Sequence, residues 1–227
     1  MSDLLGPWLT GSVGFPLAAA AVSRLPGTQR HTRTIAVTAC TASLAMSLEA
    51  VRELMAAGWT KLSEPWMPVL FSANALNAVT MALFAFVALV TFLSAPRRDT
   101  DGKSVSLILT LMAGTLAAYA ADDLRVFLAG WIGSSLAVFL GGSHNASQPR
   151  SMFELALSGS FLTVGVILHG SGGSGEYAFF FLLLAAVVRT GLFPFHGFAV
   201  SRFEGPLAPA GLLMNSQLGV FLMAGFA

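Results

Sequence analysis

The chain has 227 residues, 55% of them hydrophobic and 10% charged, with a mean hydropathy of +0.74; a soluble domain carries about 25% charged residues. Twelve basic against eleven acidic residues leave no charge field that would gather nucleic acid, and Cys40 as the single cysteine excludes an internal disulfide and a thiolate metal cluster. The composition therefore excludes an ordinary soluble enzyme and points to a polytopic membrane protein.

A spanning helix needs roughly 20 mostly apolar residues, and charged or Gly/Pro/Ser-rich breaks divide the sequence into eight such runs. They are Leu4–Ser23, Thr34–Leu54, Met67–Ser94, Val105–Ala121, Leu124–Gly142, Met152–Gly170, Tyr177–Val200 and Leu207–Ala227. The expected fold is an all-α transmembrane bundle, because lipid offers the backbone no hydrogen-bond partners. The first run is flanked by Asp3 and by no basic residue, so it reads as a helix and not as a signal peptide. Glu49, Arg52 and Glu53 close the second run at one-turn spacing, which predicts a paired helix face at the interface. Asp122 and Asp123 occupy the turn before the fifth run and read as helix caps. Glu154, near the start of the sixth, reads as a cap or as an acid partner for a buried cation. The loop Gly170–Gly175 spells a dinucleotide motif but follows a helix instead of a strand, so it reads as a flexible connection.

Basic residues are unevenly shared between alternate loops. Arg24, Arg30, Arg33, Arg97, Arg98, Lys103, Arg150 and Arg202 fall on one side, and Arg52, Lys61 and Arg125 on the other. The positive-inside rule then places both termini outside the cytoplasm. His31, His144, His169 and His196 are scattered, and no hydrolase, metalloprotease or phosphate-cradling motif is spelled. The chain is thus expected to hold no cofactor and to be no enzyme by itself.

Arg189 lies within the seventh run, with Pro194 and His196 just beyond it. A guanidinium at membrane depth costs at least about 2.5–3.5 kcal/mol on insertion scales, so it needs an acid, a water-filled cavity or an interface to reach. Histidine exchanges a proton near neutral pH where arginine does not. Proline removes a backbone donor, and freed carbonyls beside a buried charge are the material of a broken-helix ion site. Two readings follow: an intramembrane ion path, or an arginine that snorkels to the cytoplasmic interface above a kink.

Several stretches carry a resemblance to a known family. They are Ala121-Asp122-Asp123-Leu124 running into Gly130-Trp131-Ile132-Gly133-Ser134-Ser135-Leu136, then Arg189 to Gly197, then Glu204-Gly205-Pro206, and the ending Gly219 to Ala227. Over residues 105–227 the chain resembles the proton-conducting antiporter-like membrane subunits of respiratory complex I and Mrp-type antiporters, and its wording is most similar to the DabB subunits of inorganic-carbon uptake complexes. The resemblance implies helices 1–3 over residues 1–103 and one antiporter-like half-repeat with a broken seventh helix over 104–227. It further implies proton-coupled uptake of carbon dioxide or bicarbonate in the bacterial inner membrane, a hetero-oligomer, and zinc held by a DabA-like partner. The path residues would be Arg189, His196, Pro194, Glu154 and Asp122. Alternatives are a non-translocating subunit that anchors a partner, or a fragment of a complex I or Mrp-type subunit, with other membrane subunits as partners.

The chain departs from that pattern at Ile132, where the antiporter-like subunits carry a glutamate, and at Arg189, where they carry a lysine. It also has no basic residue or histidine after Arg202, and it stops at the close of what resembles the first of two repeats. Gly114, Gly133, Ser134, Gly159 and Gly165 are accordingly expected to form a lateral face for packing against other subunits.

Overall fold

The computed structural model describes residues 6–64, 70–96, 100–141, 148–172, 175–192, 195 and 217–225. The helices are α1 (Trp8–Val22), α2 (Thr32–Ala56, entered through a 3-10 turn at Gln29–His31), α3 (Ala75–Ser94), α4 (Gly102–Ala120), α5 (Leu124–Gly141), α6 (Gln148–Gly170) and α7 (Gly175–Thr190). A further helical segment, α8, covers 217–225. Among the described residues four helical stretches are long and apolar enough to cross a membrane: Gln29–Ala56, Ala75–Ser94, Gly102–Ala120 and Met152–Gly170. The protein is a helical membrane bundle in which α4 packs on α1 and α5, α2 on α1 and α3, and α7 on α6.

Two runs differ from expectation at their ends. The third was expected from Met67, yet α3 begins at Ala75, because Ser72–Ala73 pairs antiparallel with Leu62–Ser63 as a two-stranded ribbon. Asn74 then caps α3: its side chain accepts from the Asn77 amide at 3.0 Å, while Asn77 accepts from the Asn74 amide at 2.6 Å. This reciprocal pairing satisfies backbone donors that the first helical turn leaves open. The seventh was expected to reach Val200, but α7 stops at Thr190, and Gly191 takes a φ of 73°. A left-handed glycine is the common way to end a helix, since any side chain there meets its own backbone.

Polar groups inside the bundle are satisfied by neighbouring helices. Pro16 lies within α1 and has no amide to give the Ser12 carbonyl. The buried Ser43 hydroxyl of α2 donates to that carbonyl instead, at 2.6 Å. Arg33 donates from Nη2 to the Leu93 carbonyl at 2.5 Å, and from Nε to the Phe92 carbonyl, so a cation closes the negative end of α3.

The small residues lie mostly inside the chain, contrary to the expected lateral face. A Cβ on Gly114 would stand 2.5 Å from the Ser134 nitrogen, and one on Gly130 would stand 2.5 Å from the Ala118 nitrogen. These two glycines bring α4 and α5 into backbone contact. Gly165 is covered by Leu182, and Ser134 is fully buried, whereas Gly159 alone of the five faces open space. On α3, the outward stripe is made of Leu76, Val79, Leu83, Phe86, Val90 and Leu93, which suits lipid tails.

Candidate functional site

The tight α4–α5 contact sets the site. By presenting α5 at close range it turns Trp131, Ser134 and Ser135 into the bundle, where all three are buried. Ser134 and Ser135 each donate to the Trp131 carbonyl at 2.8 Å, as hydroxyls in helices commonly do toward the preceding turn. Their lone pairs are thereby left pointing outward from α5. Arg189, in the last turn of α7, fills that position: Nη1 donates to Ser135 Oγ at 2.6 Å and Nη2 to Ser134 Oγ at 2.7 Å. The guanidinium carbon also lies 4.6 Å from the centre of the Trp131 ring, a cation–π geometry that strengthens when water is excluded.

Arg189 is 1% exposed. Its charge is therefore held among helices. Hydroxyl dipoles, each polarised by its own donation to a carbonyl, and an aromatic face replace part of the lost hydration.

Glu154 is 3% exposed and lies two turns inside α6, so it is not a terminal cap. Gly165 meets Leu182 across the antiparallel α6–α7 hairpin, and that register brings Glu154 near the level of the Arg189 turn. The structure thus gathers Arg189 and Glu154 in one half of the bundle. Pro194 and His196 lie outside the described residues.

Asp122 belongs elsewhere. It sits before α5, roughly 18–20 Å along the helix direction from Ser134 and Ser135 at 1.5 Å per residue, and forms an ion pair with Lys61. Its amide donates to the Leu70 carbonyl at 3.0 Å, and Phe71 bridges to Ala121. Asp122 therefore clamps the ribbon to the α4–α5 turn instead of capping α5. Partial burial pushes its carboxyl up, but hydrogen bonds from Lys61 and Ser72 and the Lys61 charge outweigh this and hold it below the usual aspartate value.

A second charged cluster escaped the sequence reading. Glu64, fully buried beside the ribbon, accepts from the Thr10 amide at 3.1 Å and from the Thr10 hydroxyl at 2.6 Å. Glu53 accepts from the Gly6 amide at 3.0 Å and from the Trp8 indole at 2.8 Å. Both carboxylates meet the positive end of α1, where open amides and the helix dipole favour negative charge. Of the expected Glu49–Arg52–Glu53 set, only Arg52 and Glu49 pair, at 2.5 Å on the exposed side. Glu64 had no periodic context to reveal it, whereas the adjacent Ser134 and Ser135 are the polar pair in the middle of the apolar stretch of α5. Among the described residues no group of three His, Cys, Asp or Glu side chains is placed to hold a metal.

No protein-family model matches this sequence, and no curated protein matches it. A solved structure does: a chain in the structure of the membrane-bound sulfane sulfur reductase, an archaeal respiratory membrane complex, superposes with a TM-score of 0.73 over 98% of this chain at 17% identity. The fold is that of a chain from a membrane respiratory complex. The likeness at this identity concerns the fold, and the present chain spans 41% of that chain's length.

Proposed function

We propose that this protein is a membrane subunit of a multi-subunit, proton-coupled transport complex, with Arg189 as the fixed positive charge of its ion path. The observation that carries this reading is the burial of the guanidinium on Ser134, Ser135 and Trp131. Intramembrane charges are costly and are kept mainly where they act on ions or protons. Arginine does not release a proton under biological conditions, so its part is electrostatic. Glu154 and His196 are the groups that would take and give protons in such a path, Pro194 stands between Arg189 and His196 in the sequence, and Asp122 lies at the far end of α5.

The finer reading follows from the sequence resemblance. In it the chain is the DabB-like subunit of an inorganic-carbon uptake complex in the bacterial inner membrane, both termini outside the cytoplasm, energising a DabA-like zinc partner. The test is growth of a carbonic-anhydrase-deficient host on limiting bicarbonate. Arg189→Ala and His196→Ala are expected to abolish growth while the complex still copurifies; normal growth of both variants refutes the proposal. A zinc-containing soluble protein in the mild-detergent purification supports the carbon-uptake branch, and a set of hydrophobic subunits supports a complex I or Mrp-type assembly.

One observation favours a second reading, in which the chain anchors a partner without moving protons. Ile132 occupies the position of the antiporter-like glutamate, binds no proton, and is half exposed on the outer side of α5. Under that reading both substitutions leave growth intact, or act only by lowering the yield of the complex.

A further inference from the structure

The two ends of the bundle treat their cations differently. At the end that carries the ribbon, Arg52 pairs with Glu49 and Lys61 with Asp122. Arg125 rests at the negative end of α6, where a Cβ on Gly170 would stand 3.3 Å from its Nη2. At the opposite end Arg33 is taken up by carbonyls of α3, and Asp101 accepts from the first amides of α4. Arg24, Arg30 and Lys103 are exposed there, and none of the three forms an ion pair among the described residues.

Folding gathers these three cations from two separate turns. A Cβ on Gly102 would stand 2.6 Å from the Ser23 carbonyl oxygen, and the Thr32 hydroxyl donates to the Thr100 carbonyl at 2.6 Å. Arg24 and Lys103 directly follow Ser23 and Gly102, and Arg30 stands two residues before Thr32, so all three border one contact. The turn between α1 and α2 is also fixed in shape: the Thr28 hydroxyl donates to the Val22 and Leu25 carbonyls at 3.0 and 2.8 Å, and Gly27 takes a φ of 94°. Next to the cations α1 bares an apolar stripe, with Phe15, Ala18 and Val22 exposed at helical spacing and Leu25 exposed in the turn itself. α2 has 25 residues, about 37 Å at 1.5 Å each, against a hydrocarbon core of about 30 Å; the turn that enters it therefore reaches headgroup depth. An acidic peptide would answer the charges alone, whereas a lipid answers charge and stripe together. We infer that Arg24, Arg30 and Lys103 bind the phosphate of an anionic lipid whose acyl chain lies along Phe15, Val22 and Leu25. Arginine and lysine are the usual donors to phosphate oxygens, and each cation near an anionic surface is worth about five-fold in affinity.

The test is native mass spectrometry of the full chain in mild detergent, titrated with phosphatidylglycerol or with phosphatidylcholine. Half-occupancy by the first phosphatidylglycerol is expected at a concentration lower by about ten-fold or more. The triple substitution Arg24→Gln, Arg30→Gln, Lys103→Gln should bring the two lipids level. Arg52→Gln, Lys61→Gln, Arg125→Gln removes the same charge from the other end and should keep the preference. Equal binding of both lipids by the unaltered chain, or the same loss in both triple variants, overturns the inference. Photolabelling locates the lipid without any substitution: phosphatidylglycerol with a diazirine near the top of its acyl chain should mark residues 15–25, and labelling confined to other helices overturns the inference. Displacement of the lipid by an equal concentration of glycerol 3-phosphate would make this a site for soluble phosphate and would overturn it too. None of these readings uses growth or transport, so this inference and the proposed function fail separately.

Discussion

The two buried charge centres solve the same problem by different means. At the start of α1, Glu53 and Glu64 are each met by a backbone amide near the helix end, a group that cannot move away, together with the Trp8 indole and the Thr10 hydroxyl. At the end of α7, Arg189 is met by two serine hydroxyls and an indole ring, side chains that rotate and that can exchange partners. The first arrangement is a fastening, tying the ribbon and the end of α2 to α1. The second is a charge held in a polarizable setting of side chains.

Substitutions separate the two. The largest effect is expected from Arg189→Met, which keeps volume and removes charge: coupled transport should fall by more than about 100-fold, while the complex assembles, because the field is lost and not the packing. Equal activity of Arg189→Met and wild type would make the cation structural. Glu64→Ala comes next, acting on stability alone. It leaves the Thr10 amide and hydroxyl without an acceptor, at a cost of about 1–3 kcal/mol, to be seen as a lower melting temperature in detergent with specific activity of the surviving protein unchanged.

Gly114→Ala sharpens the comparison by moving the platform of the arginine site. Its methyl would stand 2.5 Å from the Ser134 backbone, so α5 must shift, at about 1–3 kcal/mol for overpacking. Both stability and activity should fall, whereas Gly159→Ala, facing open space, should alter neither. Ser134→Ala removes one of the two hydroxyls that accept from Arg189, and about 1–3 kcal/mol is at stake because a charged donor is stranded. Restoring an acceptor with Ser134→Thr should recover most of the loss.

The smallest effect concerns Asp122 and Lys61. The carboxyl is held below its unfolded value, so the pair's contribution is present above the ordinary aspartate range and fades as pH falls through the lowered folded value. Lys61 is half exposed, and pairs of this kind contribute under about 1 kcal/mol. Melting curves of Asp122→Asn and wild type should therefore differ slightly at neutral pH and converge in strong acid. A gap that widened toward acid pH would contradict the assignment.

How far the sequence could be read depended on the range of the interaction. Helices such as α2, α5 and α6 were legible within a few residues, because burial in lipid demands long apolar runs and charged breaks between them. Arg189 stood out for the same reason, as the basic residue in the middle of a run. Its surroundings did not, since Ser134 and Ser135 lie more than fifty residues away and meet it only because Gly114 and Gly130 let α4 and α5 touch. Glu64 was hidden among loop residues, and its partner Thr10 is fifty-four positions distant. Asp122 looked like a cap, because its local context is that of a cap; the approach of Lys61 from the ribbon reassigned it.

Local chemistry in the chain was enough to decide the solvent and the helical class and to single out one cation in the middle of an apolar run, because each follows from the cost of exposing polar groups to lipid. Which groups receive that cation, which acids fasten α1 and which small residues face inward were decided only by packing. Those outcomes depend on helices distant in sequence arriving within hydrogen-bond range, and no periodicity along the chain encodes that distance.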